Sequence, residues 1–170
     1  MALTFTVSEI AAMLEDAPER RPTLVERIRH WTREGLLRPI GEKNPGTGRH
    51  RAYEADALID VAVLNLLANL GMQVGQQQSF VEFARKIYSA NKKNFADWGE
   101  VFLAISNAAG EKPKVVMLLT DKETDIGTQA HLSEFYANSD VFVIINIGRV
   151  YRNVTQKIDD LRKRVGEQPK

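Results

Sequence analysis

The sequence predicts a mainly α, α+β protein: a helical N-terminal domain, further helices, and a small α/β C-terminal region with about two short buried strands. Three observations carry this expectation. Up to about residue 110, apolar residues recur at helical spacing, broken by connections rich in proline and glycine. Two later runs, KVVMLLT (114–120) and VFVIINI (141–147), are short, apolar and rich in β-branched residues, as buried strands are. The chain has 170 residues, 44% hydrophobic and 26% charged, which supports a real core and not a disordered tract. The expected division is a domain over 1–75, connecting and self-associating helices over 76–110, and a region over 111–170 for dimerisation or effector binding.

Each element has its own signal. Thr6 to Leu14 reads as a short helix capped by Ser8, with Val7, Ile10, Ala11 and Leu14 on one face. EDAPERRP (15–22) is a polar connection. Thr23 and Glu26 then form a capping-box pattern that opens a second helix, which stops at Gly35. Leu24, Ile28 and Trp31 share one face of it, and Arg27, Arg29, His30 and Arg33 crowd the remainder. LLRPIGEKNPGTGRHRAY (36–53) carries two prolines and three glycines, so loop or hairpin is expected. The helix over 55–71 is apolar nearly all round, which predicts a central place in the core. Phe80, Phe83, Ala84, Ile87 and Tyr88 mark a helix over 76–94, and Phe95, Trp98, Val101, Phe102 and Ile105 extend the helical reading over 95–110. Between the two strands a short helix is expected near 129–136. A final helix carries the stripe Val150, Val154, Ile158, Leu161 and Val165 and ends on Arg162, Lys163 and Arg164, as the helix dipole favours.

The net charge of +1 conceals an uneven distribution. From Glu19 to Arg51, nine basic residues (Arg20, Arg21, Arg27, Arg29, Arg33, Arg38, Lys43, Arg49, Arg51) face four acids. Acidic residues flank this band on both sides: Glu9, Glu15 and Asp16 before it, Glu54, Asp56 and Asp60 after it. A local basic band of this kind is a footprint for a polyanion.

Several function classes are disfavoured. The absence of cysteine removes disulfides, thiolate metal sites and cysteine nucleophiles. His30, His50 and His131 are scattered, so no metal site is expected, and no cofactor. Asp121, Glu123 and Asp125 follow a strand but lack a phosphate loop, nucleophile motif or metal set, so an acidic turn, not an enzyme, is the reading. The N-terminus lacks a basic leader region, and no apolar run approaches the roughly 18 residues of a membrane span. A cytoplasmic protein is therefore expected. No sensor signature identifies a small-molecule effector.

Helix, polar turn, basic helix, glycine-rich hairpin and core helix is the order of a winged helix-turn-helix. Over about residues 4–77 the chain resembles the DNA-binding domain of the MerR family of transcription regulators. Phe5, Val7, Glu9, Ile10 and Ala11 fit that family's opening pattern. Arg29, His30 and Trp31 fit its Arg-aromatic-aromatic triplet, with His30 where tyrosine is usual, and Gly35, Leu36, Leu37 and Pro39 follow in order. Arg51 and Tyr53 fit the wing, and Gly71 the end of the core helix. Two features depart from the family: the first turn is longer and carries Arg20 and Arg21, and the long dimerisation helix of the best-known members is missing.

The resemblance implies a homodimer that bends and untwists promoter DNA at an inverted repeat, associated with the nucleoid. Thr23, Arg27, Arg29, His30, Trp31, Arg33, Arg49, His50, Arg51 and Tyr53 are the expected DNA-binding residues. Arg27 and Arg33 are placed to meet base edges or phosphates, while Arg29, His30 and Trp31 clamp backbone. Gly46 and Gly48 shape a wing tip from which Arg49 and Arg51 leave one face of a strand. Trp31 is equally suited to the core, Tyr53 to anchoring the wing, and Arg20 and Arg21 to idle loop charge. Phe80, Phe83 and Ile87, with Val150, Val154, Ile158 and Leu161, are the expected dimerisation residues. The alternatives are an architectural DNA-binding protein of the phage excisionase or terminase-small-subunit kind, and a protein-interaction module whose basic band meets an acidic partner.

Overall fold

A computed structural model of the chain describes residues 3–41, 50–91, 100–107, 114–120 and 141–166. It is an α+β protein, mainly helical, with a two-stranded and a three-stranded sheet, both antiparallel. The chain divides into two compact units, Met1–Gln77 with Asn153–Lys170, and Gln78–Arg152. The first unit is therefore built from two separate stretches of sequence, unlike the sequential division expected.

In the first unit, β1 (Thr4–Thr6) pairs with β2 (Ala52–Glu54), placing Phe5 opposite Tyr53. Ile40 pairs with Ala52 on the other side of β2, its amide donating to the Ala52 carbonyl at 2.7 Å. The expected wing tip, with Gly46, Gly48 and Arg49, lies outside the described residues. Helix α1 (Val7–Leu14) starts one residue after the expected Thr6, and Thr6, not Ser8, is its cap. The Glu9 amide donates to Thr6 Oγ1 at 3.3 Å and the Thr6 amide donates to the Glu9 carboxylate at 2.7 Å. The Thr-x-x-Glu spacing over 6–9 decides this, because it satisfies two otherwise unpaired amides at once.

A 3₁₀ turn (Pro18–Arg20) leads into α2 (Arg21–Arg33). The expected capping box at Thr23 is not formed. The helix starts two residues before it, with Pro22 in its first turn, where a missing N–H costs nothing. Glu26 pairs instead with Arg29, one turn on. Gly35 ends the helix at φ +82°, which lets the Leu36 amide reach back to the Trp31 carbonyl at 2.9 Å and buries Leu36. Helix α3 (Ala57–Asn69) is buried on most sides, through Leu58, Val61, Leu64 and Leu67, as its composition predicts. Ile10, Leu24, Ile28, Trp31, Leu37 and Tyr53 are likewise buried in this unit.

Helix α4 (Val74–Asn91) begins in the first unit and runs into the second. There β3 (Glu100–Asn107) lies between β4 (Lys114–Thr120) and β5 (Val141–Asn146), with Leu103 opposite both Met117 and Ile145. The helical reading of 95–110 is corrected: 100–107 is the central strand, so the sheet has three strands and not two. Val101, Phe102 and Ile105 fit a helical face, but Val101 and Leu103 are both fully buried with Phe102 less so between them, which is the period of a strand. The short helix expected near 129–136 lies outside the described residues.

Helix α5 (Ile147–Gly166) follows β5 directly, capped by Asn146, whose Oδ1 accepts from the Arg149 amide at 2.8 Å. A Cβ at Gly148 would meet the Val101 amide nitrogen at 3.0 Å, tighter than ordinary contact, so glycine lets helix and strand approach closely here without either giving way. Tyr88 and Tyr151 pack with ring centroids 6.3 Å apart. The remainder of α5 belongs to the first unit. Lys157 Nζ donates to the Met13 carbonyl at 2.7 Å, at the C-terminal end of α1, which has no basic residue in its own last turn.

Of the expected dimerisation residues, Phe80, Ile87, Val154 and Ile158 are buried within the single chain. They are core side chains and are corrected as such; Phe83, Val150 and Leu161 are only half-buried.

Candidate nucleic-acid interface

Helix α2 presents two chemically distinct faces. Leu24, Ile28 and Trp31 are at most 2% exposed, so Trp31 is a core residue and not a DNA contact. Thr23, Arg29 and Arg33 are exposed, and His30 is half-exposed. The exposed face mixes signs: Arg29 is paired with Glu26, and His30 Nδ1 stands 3.9 Å from Glu34. Exposed pairs of this kind are held by about 1 kcal/mol or less, so an incoming phosphate displaces the carboxylate at small cost.

The first turn of α2 has no acidic residue, and Arg20 and Arg21 stand at its start. Basic groups there leave the positive end of the helix dipole uncompensated, an arrangement that favours an anion. Arg20 is exposed. Arg21 is half-buried and its Nε donates to the Glu15 carbonyl at 3.1 Å, which fastens the connection after α1.

Tyr53 is fully buried and is therefore an anchor. Its hydroxyl lies 2.8 Å from Thr32 Oγ1, which also donates to the Ile28 carbonyl at 2.8 Å. Since threonine has a single hydroxyl hydrogen, Tyr53 is the donor to Thr32. The pair ties α2 to the strand that follows His50, which is exposed, and Arg51, which is half-buried. Thr32 is not recognisable as a site residue in sequence, because nothing in its neighbours shows that it faces another element.

Arg27 is placed differently from Arg33. Its Nη1 donates to Asn65 Oδ1 and to Asn69 Oδ1, each at 2.7 Å, so the side chain reaches across to α3. Asn65 and Asn69 were also beyond sequence reasoning, although two asparagines one turn apart on an apolar helix are a visible anomaly. Arg49 lies outside the described residues. Glu9, at the cap of α1, has its carboxyl held below the usual value of 4.5, first by the Thr6 amide and then by the Thr6 hydroxyl.

Among the described residues, no group of three or more His, Cys, Asp or Glu is placed to hold a metal ion. No helix among them is long and apolar enough to cross a membrane. No protein-family model matches the chain, and no curated protein matches it either.

Proposed function

We propose that the first unit binds double-stranded DNA as a winged helix-turn-helix of the MerR type. In this reading the chain is a sequence-specific transcription regulator, without enzymatic activity, that acts as a homodimer on an inverted-repeat operator in the cytoplasm, at the nucleoid. One observation carries it: α2 is fixed by its buried face and by the Thr32–Tyr53 hydrogen bond, with Arg29, His30 and Arg33 on its open side. A rigid basic helix beside a strand that brings in His50 and Arg51 suits insertion of the helix into a major groove while the hairpin grips the adjacent backbone.

Burial of Trp31 and Tyr53 reduces the direct contacts to Thr23, Arg27, Arg29, His30, Arg33, Arg49, His50 and Arg51, with Arg20 at the start of α2. For self-association, Phe83, Val150 and Leu161 remain as the candidate residues.

Selection of bound sites from random DNA with the full chain tests the reading, combined with light scattering of the free protein. Enrichment of a twofold-symmetric site, bound by a dimer in a salt-dependent manner, is the expected result. Absence of any enriched sequence, with binding only to acidic proteins, would overturn it in favour of an interaction module.

A further inference from the structure

Arg27 holds a full positive charge in a half-buried place, and its partners are neutral. Among the described residues no carboxylate pairs with it; its two hydrogen bonds go to the amide oxygens of Asn65 and Asn69. Those bonds occupy both hydrogens of Nη1. A guanidinium has five N–H donors, so Nε–H and the two Nη2–H groups remain, and among the described residues they have no acceptor. Nε–H and one Nη2–H run parallel along one edge of the group, the geometry that meets two oxygens of one phosphate.

A strut between helices would be served by a neutral donor such as glutamine, or balanced by an acid. An arginine clamped at one nitrogen by two carbonyls, with its paired edge uncommitted and its charge uncancelled, is a donor group ordered in advance for an external anion. Resting on the reading that α2 enters DNA, we infer that Arg27 is a phosphate-binding residue, and that Asn65 and Asn69 of α3 are the positioning residues that hold it. Its place on the flank of α2, beside α3, assigns it to backbone and not to base edges. The clamp also reduces the side-chain entropy lost when the contact forms.

The test measures binding of the full chain to a fluorescent duplex of mixed sequence across a series of salt concentrations. Arg27→Met and Arg27→Gln keep the stem and remove the charge; both lose affinity, and the log–log salt slope falls by about 0.9. Arg27→Lys keeps the slope but binds more weakly, because a point charge cannot make the paired contact. Asn65→Ala with Asn69→Ala also binds more weakly with the slope retained, since the charge is present but no longer held. Thermal melts of each variant identify any that fail to fold, and the two neutral variants stand in for each other. Unchanged slope in a folded neutral variant overturns the inference, as does a loss confined to one base position. Wild-type affinity in the double asparagine variant overturns the positioning role. Failure of the wild-type protein to bind DNA at all overturns the DNA-binding reading itself, a distinguishable outcome.

Discussion

The hydroxyl of Tyr53 donates to the hydroxyl of Thr32 across 2.8 Å, inside the core, and Thr32 in turn donates to the Ile28 carbonyl. This direction makes the two partners unequal. Thr32→Val strands a buried tyrosine hydroxyl and is expected to cost about 1–3 kcal/mol. Tyr53→Phe leaves Thr32 its bond to Ile28 and is expected to cost about 0.5–1.5 kcal/mol. Urea unfolding of the two single variants and the double one checks this; equal losses would reverse the assigned donor.

The wing prediction concerns charge held against backbone. Arg49→Ala and Arg51→Ala are each expected to weaken DNA binding without unfolding the chain, and to reduce the salt slope by about 0.9. Anisotropy titrations at several salt concentrations decide it, and unchanged slopes in both variants would remove the wing from the interface.

In the proposed reading, base recognition falls to the open face of α2. With Arg27 turned toward α3, Arg33, the last residue of α2, is the exposed one of these two arginines. Arg33→Ala is expected to lose roughly 1–3 kcal/mol of discrimination at one position of the half-site. Competition with single-base variants of the selected site measures this; an equal loss for every sequence would make Arg33 a phosphate contact.

Gly148→Ala tests the junction of β5 and α5. The added methyl meets backbone of Val101, which cannot swing aside. Overpacking of this kind costs about 1–3 kcal/mol, against at most about 1 kcal/mol regained from helix propensity. A lower melting temperature is expected, and a raised one would show that the strand yields.

The Thr6–Glu9 cap gives a pH dependence of definite sign. The folded carboxyl titrates below its ordinary value of 4.5, so its contribution is present above that value and is lost as pH falls through the lowered one. Glu9→Gln is therefore expected to be less stable than wild type near neutrality, with the gap closing in acid. Denaturation midpoints across that range measure it; a gap that widens in acid would contradict the cap.

The helices of the first unit were legible because their buried residues recur at helical spacing and their ends carry strong signals, such as Gly35 and Gly71. Cap positions were less so: Thr6 and Ser8 are both competent, and only Glu9 at the right distance separates them. Residues 100–107 read as helix because Val101, Phe102 and Ile105 satisfy a helical period, while the alternating set runs through Val101, Leu103 and Ile105. Two strands from elsewhere in the chain settle that ambiguity, and such pairing leaves no local mark. The basic band was visible in the sequence, but the division of labour within it was not. Whether an arginine faces outward or toward Asn65 depends on how α2 is rotated against α3.

Because residues 153–166 of α5 belong to the same unit as α1, that unit cannot be finished when its first 77 residues have been made. Until Lys157 arrives, the Met13 carbonyl at the end of α1 has no ammonium to meet it. During synthesis the first domain begun is therefore the last completed, with all of residues 78–152 emerging in between. A nascent chain would thus hold α2 in an unfinished unit until this part of α5 has been made.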